Sequence, residues 1–230
     1  MEKKLILTFL TTLFMWTAAS AQKVSPTVEY INHKGEQLEV NAISEGQAPL
    51  NGTFRANPTD IDEIVPSFEW HFYKTEGSDN KELFVRYEED TEYTFNESGT
   101  YNVFLKMFDE HGEQLDSANI SVTIVESWLD FPNAFSPNND GLNDEYKAKK
   151  DYRSIVEFRG IIINRWGQKL FEWTDLNHGW DGTYKGKDVK EGVYFFIGEA
   201  RGADGKEYHF RKDVNLLRSY TEGSKSNGTN

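Results

Sequence analysis

The sequence contains no cysteine and only five histidines. The absence of cysteine excludes disulfides, thiol catalysis and cysteine-ligated metal sites, so packing alone must stabilise the fold. The histidines are scattered, without the spacing of a metal site or a catalytic triad. After the N-terminus, the longest apolar cluster is residues 193–197, which has only the length of a β-strand. We therefore expect no transmembrane segment in the exported chain.

Basic residues are scarce relative to acidic ones, since 25 Lys and Arg face 38 Asp and Glu and the formal charge is -13. Binding to nucleic acid requires a basic stripe that displaces counterions from phosphate, and none is visible. No glycine-rich phosphate loop, nucleophile elbow or specifically spaced carboxylate pair occurs. We predict a protein that is not an enzyme, needs no cofactor and does not bind nucleic acid.

The N-terminus has the features of a secretory signal peptide. Lys3 and Lys4 precede an apolar run over residues 5–16, and small residues follow up to Ala21. The run is too short to cross the ~30 Å hydrocarbon core of a bilayer. We therefore predict a signal peptide over residues 1–21, cleavage before Gln22 and export through the inner membrane.

From Thr27 onward, short alternating apolar stretches are broken by Gly, Asn, Asp and Pro, which is an all-β pattern. The spacing predicts a seven-stranded immunoglobulin-like sandwich over residues 22–126. We expect Trp70 to be a core residue between the sheets, and the alternative is a tryptophan that stacks on a ligand. The predicted strands include residues 37–42, 52–56, 67–73, 83–87, 101–108 and 119–125.

The run Ser98-Gly99-Thr100-Tyr101-Asn102-Val103-Phe104-Leu105 is followed by Asp109 and Gly112 and preceded by the strand that carries Trp70. A Ser-Gly-Thr-Tyr turn leading into an alternating strand, with an upstream tryptophan strand, resembles a polycystic-kidney-disease-type (PKD) module. The resemblance implies a spacer or adhesive domain and no chemistry.

Four short motifs occur in order along the last third of the sequence. The first is a loop without strand or helix periodicity, in which prolines fix φ and Asn and Asp side chains bond nearby amides. An Asn-Arg-Trp-Gly turn, a Trp-Asp-Gly turn and a Gly-Val-Tyr strand follow at hairpin spacing. The motif residues are Asn133, Phe135, Ser136, Pro137, Asn138, Asp140, Gly141, Asn143 and Asp144 in the loop, Asn164, Arg165, Trp166 and Gly167 in the first turn, Trp180, Asp181 and Gly182 in the second, and Gly192 and Tyr194 in the strand.

This series resembles the gliding-motility-associated C-terminal domain, the type B sorting domain of the type IX secretion system. The resemblance implies a second compact β-sandwich over residues 127–218, giving two tandem immunoglobulin-like domains. It also implies that the motif residues form a sorting and partner-binding site for the secretion translocon or an associated outer-membrane barrel protein. The expected location is the cell surface or the medium, or alternatively the periplasmic face of the outer membrane.

The opening loop also suggests a metal site, because Asp140, Asn143 and Asp144 place oxygen ligands around a glycine. The bidentate glutamate of an EF-hand is missing, and Asn-Asp-Gly is ordinary turn chemistry. A bound Ca²⁺ at these three residues is a hypothesis, and a rigid turn without metal is the alternative.

The sequence leads to one main functional prediction, a PKD-like adhesive or spacer domain that carries a domain for type IX secretion and surface delivery. One alternative is a structural subunit of an outer-membrane complex, docked to a β-barrel partner. Another is a glycan-binding module in the first domain. Residues 219–230 are polar and are expected to form a disordered tail.

Overall fold

The computed structural model describes residues 22–61 and 64–218. Every regular element in this part of the chain is a β-strand, which confirms the all-β prediction. The same part contains no helix long and apolar enough to cross a membrane. The predicted signal peptide and the predicted tail lie outside the described residues.

The N-terminal half is a sandwich of two sheets, one of five strands and one of four, beside a short two-stranded pair. Numbered along the chain, the strands follow the order β4-β11-β10-β7-β8 in the first sheet and β3-β2-β5-β9 in the second, and β1 pairs with β6. All neighbours in the two sheets are antiparallel except β4 and β11. Phe68, Trp70 and Phe72 alternate inward from one strand, as the period-2 pattern requires. The strands are β1 Lys23–Val24, β2 Thr27–Ile31, β3 Gln37–Val40, β4 Ala42–Gly46, β5 Leu50–Arg55, β6 Pro58–Thr59, β7 Ser67–Glu76, β8 Asp79–Arg86, β9 Thr91–Phe95, β10 Gly99–Phe108 and β11 Gln114–Ile124.

Trp70 is completely buried between the sheets, which confirms its core role and makes it inaccessible for stacking on a ligand. Its indole N–H donates to the carbonyls of Glu88 and Glu89 at 3.1 and 3.2 Å. Tyr101 of the Ser-Gly-Thr-Tyr run is also buried, and its hydroxyl donates to the Glu97 carbonyl at 2.8 Å. That run is therefore a packed corner of the sandwich.

The strand count differs from the prediction, because the two main sheets hold nine strands in the described residues instead of seven. The segment predicted as one strand over 37–42 ends at Val40, and a new strand begins at Ala42. The first piece pairs with β2, whereas the second joins the opposite sheet beside β11. Alternation alone could not reveal this change of sheet, because it continues through Asn41.

The C-terminal half is built on one five-stranded sheet with the order β12-β18-β17-β13-β14 and a separate hairpin β15-β16. One face of this sheet is covered by loops that carry buried aromatic side chains, among them Phe131, Tyr146 and Trp180. We call these loops, residues 128–150 and 174–191, the loop layer. The strands are β12 Ala134–Phe135, β13 Ile155–Ile163, β14 Lys169–Trp173, β15 Thr183–Tyr184, β16 Lys187–Asp188, β17 Gly192–Gly202 and β18 Glu207–Leu216.

The two halves have separate hydrophobic cores that meet at a bonded junction. Ala203 of the C-terminal half packs in the N-terminal core, and its carbonyl accepts from the Ser98 N–H at 3.0 Å. Ser154 accepts from the Ala203 N–H at 2.8 Å through its carbonyl and from the Ala48 N–H at 3.3 Å through its hydroxyl. Backbone bonds to buried groups therefore fix the two domains against each other.

Candidate partner-binding site

The opening motif loop is held together by the carboxylate of Asp144. One oxygen accepts from the amides of Asn138 and Asn139 at 3.0 and 2.7 Å, and the other accepts from the Gly141 amide at 2.8 Å. A loop has no ladder partners for its backbone groups, so a side chain must satisfy them. Asp144 therefore serves as the internal cap of this loop.

These contacts test whether the loop fits a Ca²⁺ ion. Asp140 is also engaged, since its two oxygens accept from the Leu142 amide at 2.9 Å and the Asn138 side-chain amide at 3.0 Å. A hard cation needs carboxylate oxygens that point towards one common centre. Here the oxygens of Asp140 and Asp144 accept from N–H donors of the loop itself, which favours a rigid turn without metal, and a bound Ca²⁺ at these residues stays a hypothesis. The third candidate is Asn143, whose backbone carbonyl accepts from the Ser136 amide at 2.8 Å.

The Trp-Asp-Gly motif is a structural turn of the loop layer. Trp180 is fully buried, and its indole N–H donates to the Thr183 carbonyl at 2.8 Å. Asp181 accepts from the Thr183 amide at 2.9 Å. Gly182 has a φ of +78°, and a side chain there would meet Leu216 at 2.9 Å. Glycine is required at this position by both the backbone conformation and the space.

Other motif residues also have packing or hydrogen-bonding roles. Phe135 and Ser136 are buried in the loop layer, and the Asn133 carbonyl accepts from Asn215 of the last strand. The Tyr194 hydroxyl donates to the Lys190 carbonyl at 2.6 Å. Burial raises the pKa of Tyr194, although the positive charges of Arg218 and Arg165 oppose the rise. The phenol is therefore a protonated donor at physiological pH.

The Asn-Arg-Trp-Gly turn joins β13 to β14 and has a different character. Asn164 accepts from the amides of Trp166 and Gln168, both at 3.0 Å, and Gly167 adopts a φ of +79°. The turn so formed projects Trp166 into solvent, where 79% of the residue is exposed. The Arg165 guanidinium lies 5.1 Å from the centre of its ring. Among the described residues Trp166 is thus a motif residue whose ring contacts Arg165 but is not packed into a core.

An apolar strip lies on the outer face of the sheet beside this turn. The pairs Ile161–Ile197 and Ile163–Phe195 lie opposite each other on β13 and β17, so all four side chains share one face. On the same face Val193, Phe195 and Ile197 are 48%, 36% and 38% exposed. We call Ile161, Ile163, Val193, Phe195 and Ile197 the outer strip.

Charged residues border the outer strip on both sides. Lys169 and Glu172 lie opposite Ile163 and Ile161 on β14, and Asp213 and Arg211 lie opposite Phe195 and Ile197 on β18. Glu172 pairs with Lys169 at 2.5 Å and with Arg159 at 2.7 Å. An exposed apolar patch with a polar rim is typical of a protein-interaction surface.

A cavity of about 320 Å³ connects the outer strip to the exposed turn. Arg165 and Trp166 line it from the turn, Val193 and Tyr194 from β17, and Tyr184 from the loop-layer hairpin. Three of these residues are aromatic, which suits the capture of an apolar or aromatic side chain. The turn, the cavity and the strip form one continuous surface, which we call the Trp166 site.

The motif residues therefore separate into two groups. The loop, the Trp-Asp-Gly turn and Gly167 organise the fold, whereas the other motif residues line the cavity of the Trp166 site, namely Asn164, Arg165, Trp166, Gly192 and Tyr194. Sequence reasoning missed the outer strip. The pattern that could have found it is the apolar run in β13 and in β17, because continuous apolar residues in a strand place side chains on both faces.

The comparison with protein families identifies the C-terminal domain. Residues 129–212 match the model of the CHU_C type IX secretion signal domain. The resemblance drawn from the four ordered motifs is confirmed, and the C-terminal domain is similar to a type IX secretion signal domain. The PKD-like resemblance of the N-terminal domain agrees with its immunoglobulin-like sandwich.

No curated protein sequence matches this chain. One similar solved structure is Bacteroides ovatus SGBP-B, from a mixed-linkage glucan utilization locus, in complex with a mixed-linkage heptasaccharide. It has 14% sequence identity to this chain and a TM-score of 0.28, and the match covers 76% of this chain and 42% of SGBP-B. The fibronectin(III)-like modules of Clostridium thermocellum CbhA have 14% identity and a TM-score of 0.23, with coverage of 78% and 92%. Dimeric latent PorU from Porphyromonas gingivalis has 11% identity and a TM-score of 0.25, with coverage of 90% and 21%. This chain spans less than half the length of SGBP-B, and similarities this weak carry no argument about function.

Proposed function

We propose that this chain is a non-enzymatic exported protein whose C-terminal domain delivers it to the cell surface through the type IX secretion route. The N-terminal PKD-like domain then serves as an adhesive or spacer module. The family match over residues 129–212 supports the secretion route. The observation that carries the proposed binding surface is Trp166, exposed by 79% beside the outer strip.

The physical argument rests on the cost of exposing this surface. A tryptophan in water gains nothing for the fold, whereas burial of its side chain against a partner removes a large apolar area from solvent. Tryptophan and arginine are enriched among the residues that dominate binding energy in interfaces. Trp166 and Arg165 therefore form the centre of the proposed contact, and the outer strip extends it.

The partner in this proposal is the secretion translocon or an outer-membrane barrel protein associated with it. Recognition uses a folded surface, because the Trp166 site combines a turn, two central strands and the loop-layer hairpin. The rim charges on β14 and β18 set the orientation of docking rather than most of its affinity.

The test compares full-length variants expressed in the native host. We expect Trp166→Ala and Phe195→Asp to reduce the surface-exposed or released fraction at least fivefold, with accumulation in the periplasm, and we expect the same of a deletion of residues 127–230. The fraction is measured by protease accessibility of intact cells and by immunoblots of medium and periplasm. Tyr87→Ala is the matched control, because Tyr87 is 70% exposed on the N-terminal domain.

Thermal unfolding separates a sorting defect from a folding defect. Trp166→Ala should change stability by no more than ~0.5 kcal/mol, because it removes an exposed side chain. Normal delivery of a folded Trp166→Ala and Phe195→Asp double variant would contradict the proposed surface. Stable residence in the outer membrane with a stoichiometric barrel protein, and no release, would instead favour the structural-subunit alternative.

A further inference from the structure

A cleft lies where loops of the N-terminal domain meet the C-terminal domain, and it shares no lining residue with the cavity of the Trp166 site. It contains two adjoining cavities of about 390 Å³ each. His33 and Gln47 from the N-terminal domain line both cavities, as do Tyr152, Leu176 and Asn177 from the C-terminal domain. Clefts of this size at domain boundaries are common sites for small ligands, which typically occupy ~300–1,000 Å³.

The second cavity presents hydrogen-bond donors without a carboxylate, although the chain carries a formal charge of -13. Lys150, His33 and Gln47 line it, and their side chains make no hydrogen bond or ion pair with another described residue. Lys147 also lines it but is paired with Glu145 at 3.2 Å. The uncompensated positive charge of the cavity therefore comes from Lys150.

The two carboxylates that line the first cavity, Asp175 and Glu157, already have hydrogen-bond or ion-pair partners. Asp175, which lines only the first cavity, accepts from the Asn177 amide at 2.9 Å and contacts the His178 ring nitrogen at 2.7 Å. Glu157, in the same cavity, forms an ion pair with Arg201. The Tyr152 hydroxyl donates to Asn177 at 2.9 Å, which fixes the wall between the cavities.

The junction holds the two sides of the cleft at a fixed distance. Gln47 directly precedes Ala48, whose N–H donates to the buried Ser154 hydroxyl at 3.3 Å. Tyr152 lies two residues before Ser154 on the opposite wall. Because this bond holds the two walls in place, only the side chains that contact the ligand, among them the exposed Lys150 and His33, lose freedom on binding.

We infer that the second cavity binds an oxyanion, a carboxylate or sulfate group, through Lys150, His33 and Gln47. The first cavity accommodates the uncharged part of the ligand against Ile31, Pro49 and Leu176. The oxyanion belongs either to a free inorganic anion or to an acidic saccharide. This site is independent of the Trp166 site, so failure of one leaves the other intact.

Calorimetric titration of the purified protein tests the inference with sodium sulfate, sodium phosphate, a galacturonic acid trimer and the neutral galactose trimer. We expect binding of the galacturonate trimer and none of the neutral trimer. Additional binding of sulfate or phosphate would assign the site to free anions, and binding of the uronate alone would assign it to saccharides. Absence of binding by every anion would overturn the inference.

Variants locate the binding site within the cleft. Lys150→Gln should weaken anion binding about ten- to a hundredfold, since charged hydrogen bonds contribute ~1.5–3 kcal/mol and 1.4 kcal/mol is tenfold. Lys150→Arg should retain it. Lys187→Gln is the matched control, because it removes the same charge from an exposed position outside the cleft. Equal weakening by Lys187→Gln and Lys150→Gln would show only a general charge effect and contradict the site.

Discussion

The two domains cover a five-stranded sheet in different ways. In the N-terminal domain a second sheet of four strands closes the core, and its ladders satisfy the backbone on both layers. In the C-terminal domain the loop layer performs this role, and side chains satisfy several of its backbone groups beside backbone bonds such as those between Tyr146 and Trp180. The carboxylates of Asp144 and Asp181 are examples.

This difference explains why the sequence of the C-terminal domain carries more specific motifs than the sequence of the N-terminal domain. A sheet packed on a sheet requires only apolar residues at alternate positions, and many sequences meet that demand. A loop layer requires particular residues at particular places, such as Gly182 at a φ of +78° against Leu216. Two of the four motifs, the opening loop and the Trp-Asp-Gly turn, therefore belong to the loop layer, whereas the Asn-Arg-Trp-Gly turn and the Gly-Val-Tyr strand belong to the sheet beneath it.

The largest effect should come from removing the central tryptophan of each layer. Trp180→Ala and Trp70→Ala should each cost ~3–5 kcal/mol, because both side chains are fully buried. The consequences should differ in location. Loss of Trp180 should remove hydrogen-exchange protection from residues 133–146 and 174–191, whereas loss of Trp70 should expose amides of β7 and β10.

Hydrogen exchange read by mass spectrometry measures both variants, and each domain serves as the control for the other. Separate cores predict that amides of the intact domain keep most of their protection. Equal loss of protection in both domains for either variant would mean that the Ser154 junction joins them into one cooperative unit.

A smaller effect should follow from opening the motif loop. Asp144→Ala leaves three backbone amides without this acceptor and should cost ~2–3 kcal/mol, whereas Asp140→Ala should cost ~1 kcal/mol because only one backbone amide, besides an exposed side-chain amide, loses its partner. Urea unfolding of both variants gives the comparison. A larger cost for Asp140→Ala would contradict the assignment of Asp144 as the cap.

The same loop tests the Ca²⁺ hypothesis. Addition of millimolar Ca²⁺ should leave the unfolding midpoint of the protein unchanged, because both candidate carboxylates accept from N–H donors. A rise in the midpoint that disappears in Asp144→Ala would reverse this expectation, since a bound ion stabilises only the state that holds it.

Alternation and turn residues predicted the all-β class, the inward position of Trp70 and the sandwich of the N-terminal domain, whereas the second β-domain was implied by the family resemblance of the four motifs. They could not predict that β3 and β4 belong to different sheets, because pairing partners are set by contacts distant in sequence. The outer strip was missed for a related reason. A run such as Ile161-Ile162-Ile163 predicts burial on both faces, but only the three-dimensional arrangement shows that no second layer covers one of them.

Charge contacts that attach the loop layer to its sheet should make the C-terminal domain more sensitive to acid than the N-terminal domain. Asp130 contacts the ammonium groups of Lys149 and Lys212, each at 2.5 Å. Burial raises the pKa of Asp130, but hydrogen bonds from Lys149 and Lys212 outweigh it and hold the pKa at about 2. The stabilisation is therefore fully present above the unfolded-state value near 3.8 and is lost as the pH falls from about 4 to about 2.

The side chain of Asp130 is 30% exposed, so solvent screening reduces the contribution to ~1–2 kcal/mol at pH 6. We expect Asp130→Asn to be destabilised by this amount at pH 6 and by progressively less at pH 4 and pH 3, as urea unfolding at each pH would measure. Lys212→Gln should reduce the same pH-dependent difference, because it removes one of the two partners that lower the pKa. A difference between the wild-type protein and Asp130→Asn that stays constant from pH 6 to pH 3 would show that the loop layer is held by packing, as the N-terminal sandwich is, and not by these charges.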